Sequence, residues 1–307
     1  MQKVQFFDII KLIHMQGLVI DMKLNEINIR DPFILVDGET YYMYGSRGSE
    51  TWGKCTGLDV YQSRDLENWS EPTECFTKPK DFWADQNFWA PEVHKYNGAY
   101  YMFASFKSDS RKRGTQILKA ESPKGPFLPI SDGPVTPENW SSLDGTLYIE
   151  DGIPYIIFCH EWSQTIDGTV EALRLSDDLT HPVGEPFTLW KGSDASWSCQ
   201  LGERNGYVTD GPFVIKRNGE LGIIWSSFTK NPDINYVQAV SFSDNGKIGG
   251  KWRVSDNLIF SKDGGHGMVF RDLEGKEKIV LHRPNNPAGA EHPVLLEFSS
   301  EEVFNKQ

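Results

Sequence analysis

Five side chains carry the chemistry open to this sequence: Asp31, Asp144, Asp210, Glu161 and His266. Three of the acids and the histidine hold the same place in a recurring phrase. The phrases are RDPFILVDGETYYMYGS from Arg30, WAPEVHKYNGAYYMFASF from Trp89, LDGTLYIEDGIPYIIFCHEW from Leu143, TDGPFVIKRNGELGIIWSSF from Thr209 and GHGMVFRDLEGKEKIVLHRPN from Gly265. Aligned at their openings, Asp31, Ala90, Asp144, Asp210 and His266 are equivalent. Taken singly, an acid such as Asp31 before a proline reads as a turn cap. Several carboxylates in one concave mouth repel one another, and their pKa values move apart. That suits a reaction needing one ionised carboxylate and one protonated carboxyl. Glycoside hydrolysis is the leading case, a base activating water while an acid protonates the leaving oxygen. The competing reading is that the acids cap strands or bind a structural cation.

Such a ring needs a scaffold that repeats around an axis. Each phrase runs from a polar opening through a strand and a turn to a second apolar strand. The turns carry Asp37-Gly38, Asn97-Gly98, Asp151-Gly152, Asn218-Gly219 and Glu274-Gly275, pairs that favour tight hairpins. Further strand-like pieces lie between, such as TQILKAESPKGPF and NYVQAVSFSDNGKIGG, so each repeat of about sixty residues holds about four strands. Four antiparallel strands repeated radially make a β-propeller, and a β-sandwich does not account for five recurrences of one opening. The expected fold is therefore all-β, a single five-bladed β-propeller over residues 23–307, with residues 1–22 as an N-terminal extension. The first strand of a blade lies innermost, so the opening residues line one mouth of the central channel. The hairpins return near Ser46, Ser105, Glu161, Ser227 and Arg283, a wider ring at the same mouth. Glu92 lies one step past that ring, and strand alternation should turn it from the axis.

A net charge of −12 argues against nucleic acid or an anionic membrane as the main partner. Aromatic content of 13%, with ten Trp, suits both a β core and sugar-stacking surfaces. Trp52, Trp89 and Trp162 fall in or near mouth loops. Cys55, Cys75, Cys159 and Cys199 are widely spaced without a metal-type pattern, and read as packing residues in a reducing compartment. The opening MQKVQFFDIIKLIHMQGLVI is too broken for a membrane span and has no signal-type cleavage site. A cytoplasmic protein without an organic cofactor is expected, its oligomeric state open.

The openings NIRDPF, FWAPEV, LDGTLY, TDGPF and GHGMVF, in that order, resemble family 43 glycoside hydrolases over nearly all of residues 25–307. The resemblance implies a five-bladed propeller that cleaves arabinose- or xylose-containing glycans with inversion. An exo-acting α-L-arabinofuranosidase is the expected activity; a non-catalytic carbohydrate-binding propeller with a degenerate acid is the alternative. Asp31 matches the family's general base, Asp144 the acid that tunes pKa and orients its partner, and His266 a histidine that helps hold a central cation such as calcium, directly or through water. The third acid departs from the pattern: the family has Glu-Gly-Pro where this chain has Asp210-Gly211-Pro212. Glu161, flanked by His160 and Trp162 at the end of the hairpin that Asp144 opens, is then a second candidate for the donor. The choice between the two stays open, with a slight preference for Glu161. Arg283 is expected to bond a sugar hydroxyl or an acid.

Overall fold

The computed structural model describes residues 21–203, 205–231 and 235–306. The proposed N-terminal extension, residues 1–22, falls almost wholly outside them. Five antiparallel sheets succeed one another along the chain. Blade one is Ile29–Asp37, Thr40–Arg47, Gly57–Ser63 and Thr73–Thr77; blade two is Gln86–Tyr96, Ala99–Lys107, Gly114–Ala120 and Leu128–Pro129. Blade three is Ser142–Glu150, Ile153–His160, Thr169–Arg174 and Phe187–Lys191, and blade four is Asp210–Arg217, Glu220–Phe228, Tyr236–Ser243 and Trp252–Val254. Blade five has three strands rather than four: Gly265–Arg271, Glu277–Arg283 and His292–Glu297. There the chain leaves the sheet for the helix Ser300–Asn305, which seats Phe304 against Phe242 of blade four at 5.3 Å. This is the expected five-bladed propeller.

Local chemistry explains the hairpins. At Asn97-Gly98, Asp151-Gly152 and Asn218-Gly219 both residues have φ between 46° and 86°, the two-residue turn whose twist matches paired strands. Blade one instead turns at Gly38-Glu39, and blade five uses a longer loop through Asp272–Lys276.

Most aromatic side chains hold the blades together. Phe76, Phe82, Phe88 and Phe106 pack edge-on between blades one and two, with centroids as close as 4.8 Å. Trp190, Trp225, Trp252 and Trp197 pack in tilted pairs between blades three and four. Each fully buried aromatic contributes about 1.5–3 kcal/mol from burial, and each such pair about 0.5–1.5 kcal/mol more. Cys55, Cys75 and Cys159 are buried free thiols and Cys199 is half-buried, also unpaired. Among the described residues, no helix is long and apolar enough to cross a membrane.

The channel is plugged below its mouth. Phe33 of blade one packs against His94 of blade two at 5.2 Å and Phe213 of blade four at 6.2 Å, and His94 Nε2 reaches the Leu147 N–H of blade three. Glu92 does not turn from the axis as alternation suggested. It is buried, 3.1 Å from His94 Nε2, because bulges between Gln86 and Glu92 break the alternation.

Candidate active site

Each blade opens with the same bulge, and the register identifies the equivalent residues. Arg30 pairs with Ser46, Trp89 with Ser105, Leu143 with Cys159, Asp210 with Ser226 and Gly265 with His282, each followed by a shift in register. The next residue in every blade is left-handed: Asp31 (φ 54°), Ala90 (47°), Asp144 (58°), Gly211 (51°) and His266 (49°). The sequence alignment is therefore corrected by one residue in blade four. Gly211, not Asp210, belongs with Asp31, Ala90, Asp144 and His266. The reason is steric: a Cβ on Gly211 would stand 2.5 Å from His266 Cδ2. The imidazole fills the place of an inner side chain, so the acid of blade four moves out by one residue, level with Arg30 and Trp89.

A second ring holds this strained inner ring in place. In four of the five blades the side chain paired across the bulge accepts the N–H of the inner-ring residue of the next blade. Ser46 Oγ accepts from Ala90 (2.9 Å), Ser105 Oγ from Asp144 (2.9 Å), Ser226 Oγ from His266 (2.7 Å) and His282 Nδ1 from Asp31 (3.2 Å). A left-handed non-glycine residue costs about 1–3 kcal/mol, which these bonds offset. This ring replaces the expected set of Ser46, Ser105, Glu161, Ser227 and Arg283: the bulge advances the chain, so the last three become Cys159, Ser226 and His282. At Cys159 the pattern breaks. A thiol is a weak acceptor, and the Gly211 N–H donates instead to Asp144 Oδ2 at 3.0 Å.

The mouth above these rings is a pocket of about 440 Å³, within the roughly 300–1,000 Å³ typical of ligand sites. Asp31, Asp144, Asp210 and His266 converge in it, with Glu161, Trp52, Trp89 and Trp162 on its walls. His160 is not among the lining residues; its ring stacks on Trp140 at 3.9 Å and bonds Gln164. Arg283 is also outside the pocket, and Arg30 stands there instead. Arg30, Tyr236, His282 and Asn285 were not anticipated. Their roles come from contacts between blades one, four and five, which no local motif records.

The three aspartates differ in charge state. Burial pushes the Asp31 carboxyl up, but it ends below the usual carboxylate range, because His266, Arg30 and the Ser46 hydroxyl favour its charge. Ser46 Oγ donates to Asp31 Oδ2 at 2.6 Å, and His266 Nδ1 lies 3.2 Å from Oδ1. His282 adds no charge: burial lowers it to about 3, and its Nδ1 accepts the Asp31 N–H. Arg30 is held by Glu291 (2.6 Å) and Asn285 (2.7 Å). Asp144 is raised well above its usual value by burial and then by the Asp31 charge. Asp210 is pushed up to about 7 by burial and by Asp144. Tyr236 OH donates to Asp210 Oδ2 at 3.0 Å, which leaves Oδ1 to carry a proton.

Glu161 is engaged elsewhere. Arg113 Nη1 donates to Glu161 Oε2 at 2.7 Å, and the guanidinium lies 4.0 Å over the Trp89 ring. That ion pair turns the Glu161 carboxylate toward Arg113 and ties it to the Trp89 wall. Trp89 is fixed by its Nε1–H to Thr51 O, and Trp52, 64% exposed, meets it edge-on at the rim. The Trp162 ring packs on Gly202 and Gly206, where any Cβ would collide with it. Among the described residues, no three His, Cys, Asp or Glu side chains are grouped to hold a metal.

The chemistry of this mouth agrees with what the chain resembles. The family described as glycosyl hydrolases family 43 matches residues 25–297. A solved structure of an endo-arabinase from Bacteroides thetaiotaomicron is 40% identical, with a TM-score of 0.83 over 91% of this chain and 96% of that one. The extracellular endo-α-(1→5)-L-arabinanase 1 of Bacillus subtilis is 24% identical over 78% of this chain and 72% of its own length. An extracellular exo-α-(1→5)-L-arabinofuranosidase of Streptomyces avermitilis is 23% identical over 70% of this chain and 46% of its own.

Proposed function

Since the chain belongs to glycosyl hydrolases family 43, and so is a glycoside hydrolase, we propose that it cleaves L-arabinofuranosyl linkages in arabinan-type chains with inversion. The observation that carries this is the pairing of an ionised Asp31 with an Asp210 raised to about 7 in one pocket. Blades one and four are not neighbours, so the two acids enter one pocket from separate blades; inversion calls for about 6.5–9.5 Å between the two carboxyl groups to admit the water. Asp31 takes a proton from the water that attacks the anomeric carbon. Asp210 Oδ1 gives its proton to the leaving oxygen as the glycosidic bond breaks. Burial and the adjoining Asp144 carboxyl keep Asp210 protonated, and Asp144 tethers the neighbouring Gly211 through its N–H. In this reading Asp210 is the donor, against the sequence preference for Glu161, because the Glu161 carboxylate is engaged by Arg113 at the pocket wall.

Endo action is the first reading of how the chain is cut. The exposed Trp52 on the pocket rim beside Trp89 extends the stacking surface toward solvent, and the 40% identical neighbour is an endo-arabinase. Exo action is the second reading, favoured by the Trp162 wall and the plugged floor. Product analysis of debranched arabinan separates them. Endo action should give a ladder of oligosaccharides and an early fall in viscosity; arabinose alone from the first minutes would establish exo action. No release from arabinan, with release from a xylan, would overturn the arabinan assignment.

Cys159 makes a finer prediction. In Cys159→Ser the hydroxyl should take the Gly211 N–H, as serines do in the neighbouring blades, and withdraw it from Asp144. Asp144, already raised by burial, then loses a donor that favours its charge, its hold on the Asp210 proton weakens, and the alkaline limb of kcat should move down by roughly half a pH unit. Cys159→Ala, with no acceptor, should keep the original limb. Identical profiles for Ser and Ala would remove Cys159 from this role.

A further inference from the structure

Beside the catalytic pocket lies a second concavity of about 470 Å³, built largely by the loop after the second strand of blade two. Glu161 belongs to the walls of both cavities. Its ion pair with Arg113, and the stacking of Arg113 on Trp89, make the partition between them. The second cavity has an unusual charge for this chain. Lys107, Arg111, Lys112 and Arg113 face only Asp109 and Glu161 among its lining residues, a local balance of four minus two, or +2. The chain as a whole carries −12.

The four cations are not equally committed. Arg113 is buried and paired with Glu161, and Arg111 bonds Glu138 at 2.9 Å. Lys112 Nζ reaches only a backbone acceptor, Asn139 O, at 2.8 Å. Lys107 has no carboxylate within ion-pair distance among the described residues, and Asp109 is engaged by Gln86 Nε2. Two ammonium groups therefore stand beside a sugar-binding cleft without a counter-charge. Ser108, Ser110 and Ser141 line the same cavity, and their hydroxyls are polar groups of the kind that bind sugar hydroxyls.

We propose that this cavity is a subsite for an acidic sugar, a uronosyl residue borne by the glycan whose neutral part occupies the catalytic pocket. The inference rests on the hydrolase reading for the neutral part. Continuity through Glu161 makes the occupant a neighbouring residue of the same glycan. The free ammonium groups select a carboxylate on it, and a neutral pentose leaves them uncompensated.

The test uses Asp31→Asn full-length chain, so that ligands persist, and titration calorimetry with two arabino-oligosaccharides of equal length, one neutral and one bearing a single glucuronosyl group. The acidic ligand should bind about fivefold tighter at low salt, the upper range for an exposed ion pair, and the advantage should fade at high salt. Lys107→Glu with Lys112→Glu should abolish the preference and leave the neutral ligand's affinity within about twofold. Equal affinities, or a preference that survives the charge reversal, would overturn the subsite. Hydrolysis of the neutral oligosaccharide by wild-type chain is scored separately: its absence counts against the hydrolase reading, while lysine-dependent binding of the acidic ligand would still uphold the subsite.

Discussion

Asp31→Asn is expected to slow hydrolysis of unactivated arabino-oligosaccharides by about a thousand- to ten-thousand-fold, the upper range for a positioned general base. Substrate affinity should change little, because the substitution keeps the shape of the side chain. The carboxylate is prepared for one task. Ser46 donates to Oδ2, His266 lies beside Oδ1, and Arg30 is clamped by Glu291 and Asn285. The backbone is fixed too, since His282 accepts the Asp31 N–H at φ 54°. The amide keeps the shape and one acceptor oxygen but cannot take the proton of an attacking water. Azide, which needs no base, should restore turnover on an activated aryl arabinofuranoside and yield a glycosyl azide of inverted configuration. Near wild-type rates without azide would place the base elsewhere. A variant that neither binds oligosaccharide nor responds to azide would mean that Asp31 shapes the pocket rather than activating water.

The propeller was legible because its signals are local and repeated. Positive-φ pairs such as Asn97-Gly98 and Asn218-Gly219 need only two residues to set a hairpin, and five openings in order imply a ring. Asp31, Asp144 and His266 could be located for the same reason. What failed was register across a bulge. Asp210-Gly211-Pro212 looks like Arg30-Asp31-Pro32 with its acid in line, yet the left-handed position falls on Gly211 because the His266 ring occupies the space above it. The same bulges misplaced Glu92, Glu161 and Arg283, since one extra residue reverses which face a side chain takes. Partnerships such as Arg113–Glu161 and Arg30–Asn285 join residues far apart in the chain. Their chemistry depends on geometry that no phrase contains.

The identity of the acid is decided by leaving groups. A carboxyl that gives its proton to the departing oxygen matters most when that oxygen is a poor leaving group. Asp210→Ala is therefore expected to lower kcat on arabino-oligosaccharides by about a hundred- to ten-thousand-fold, and to spare most of the rate on a dinitrophenyl arabinofuranoside, whose phenolate departs unaided. Glu161→Ala should affect both substrates alike, through loss of the Arg113 pair that steadies Trp89. The pH dependence carries the same signature. Burial and the Asp144 charge raise the Asp210 carboxyl to about 7. The donor is therefore present below that pH and lost above it, so kcat on the poor substrate should fall through about pH 7 in the wild-type chain. In Asp210→Ala that alkaline limb should vanish. Tyr236→Phe removes the hydroxyl bonded to Asp210 Oδ2, a donor that favours the ionised form, and should move the limb upward. If Glu161→Ala instead erases the limb and spares only the activated substrate, the donor is Glu161, and its pairing with Arg113 must open during turnover.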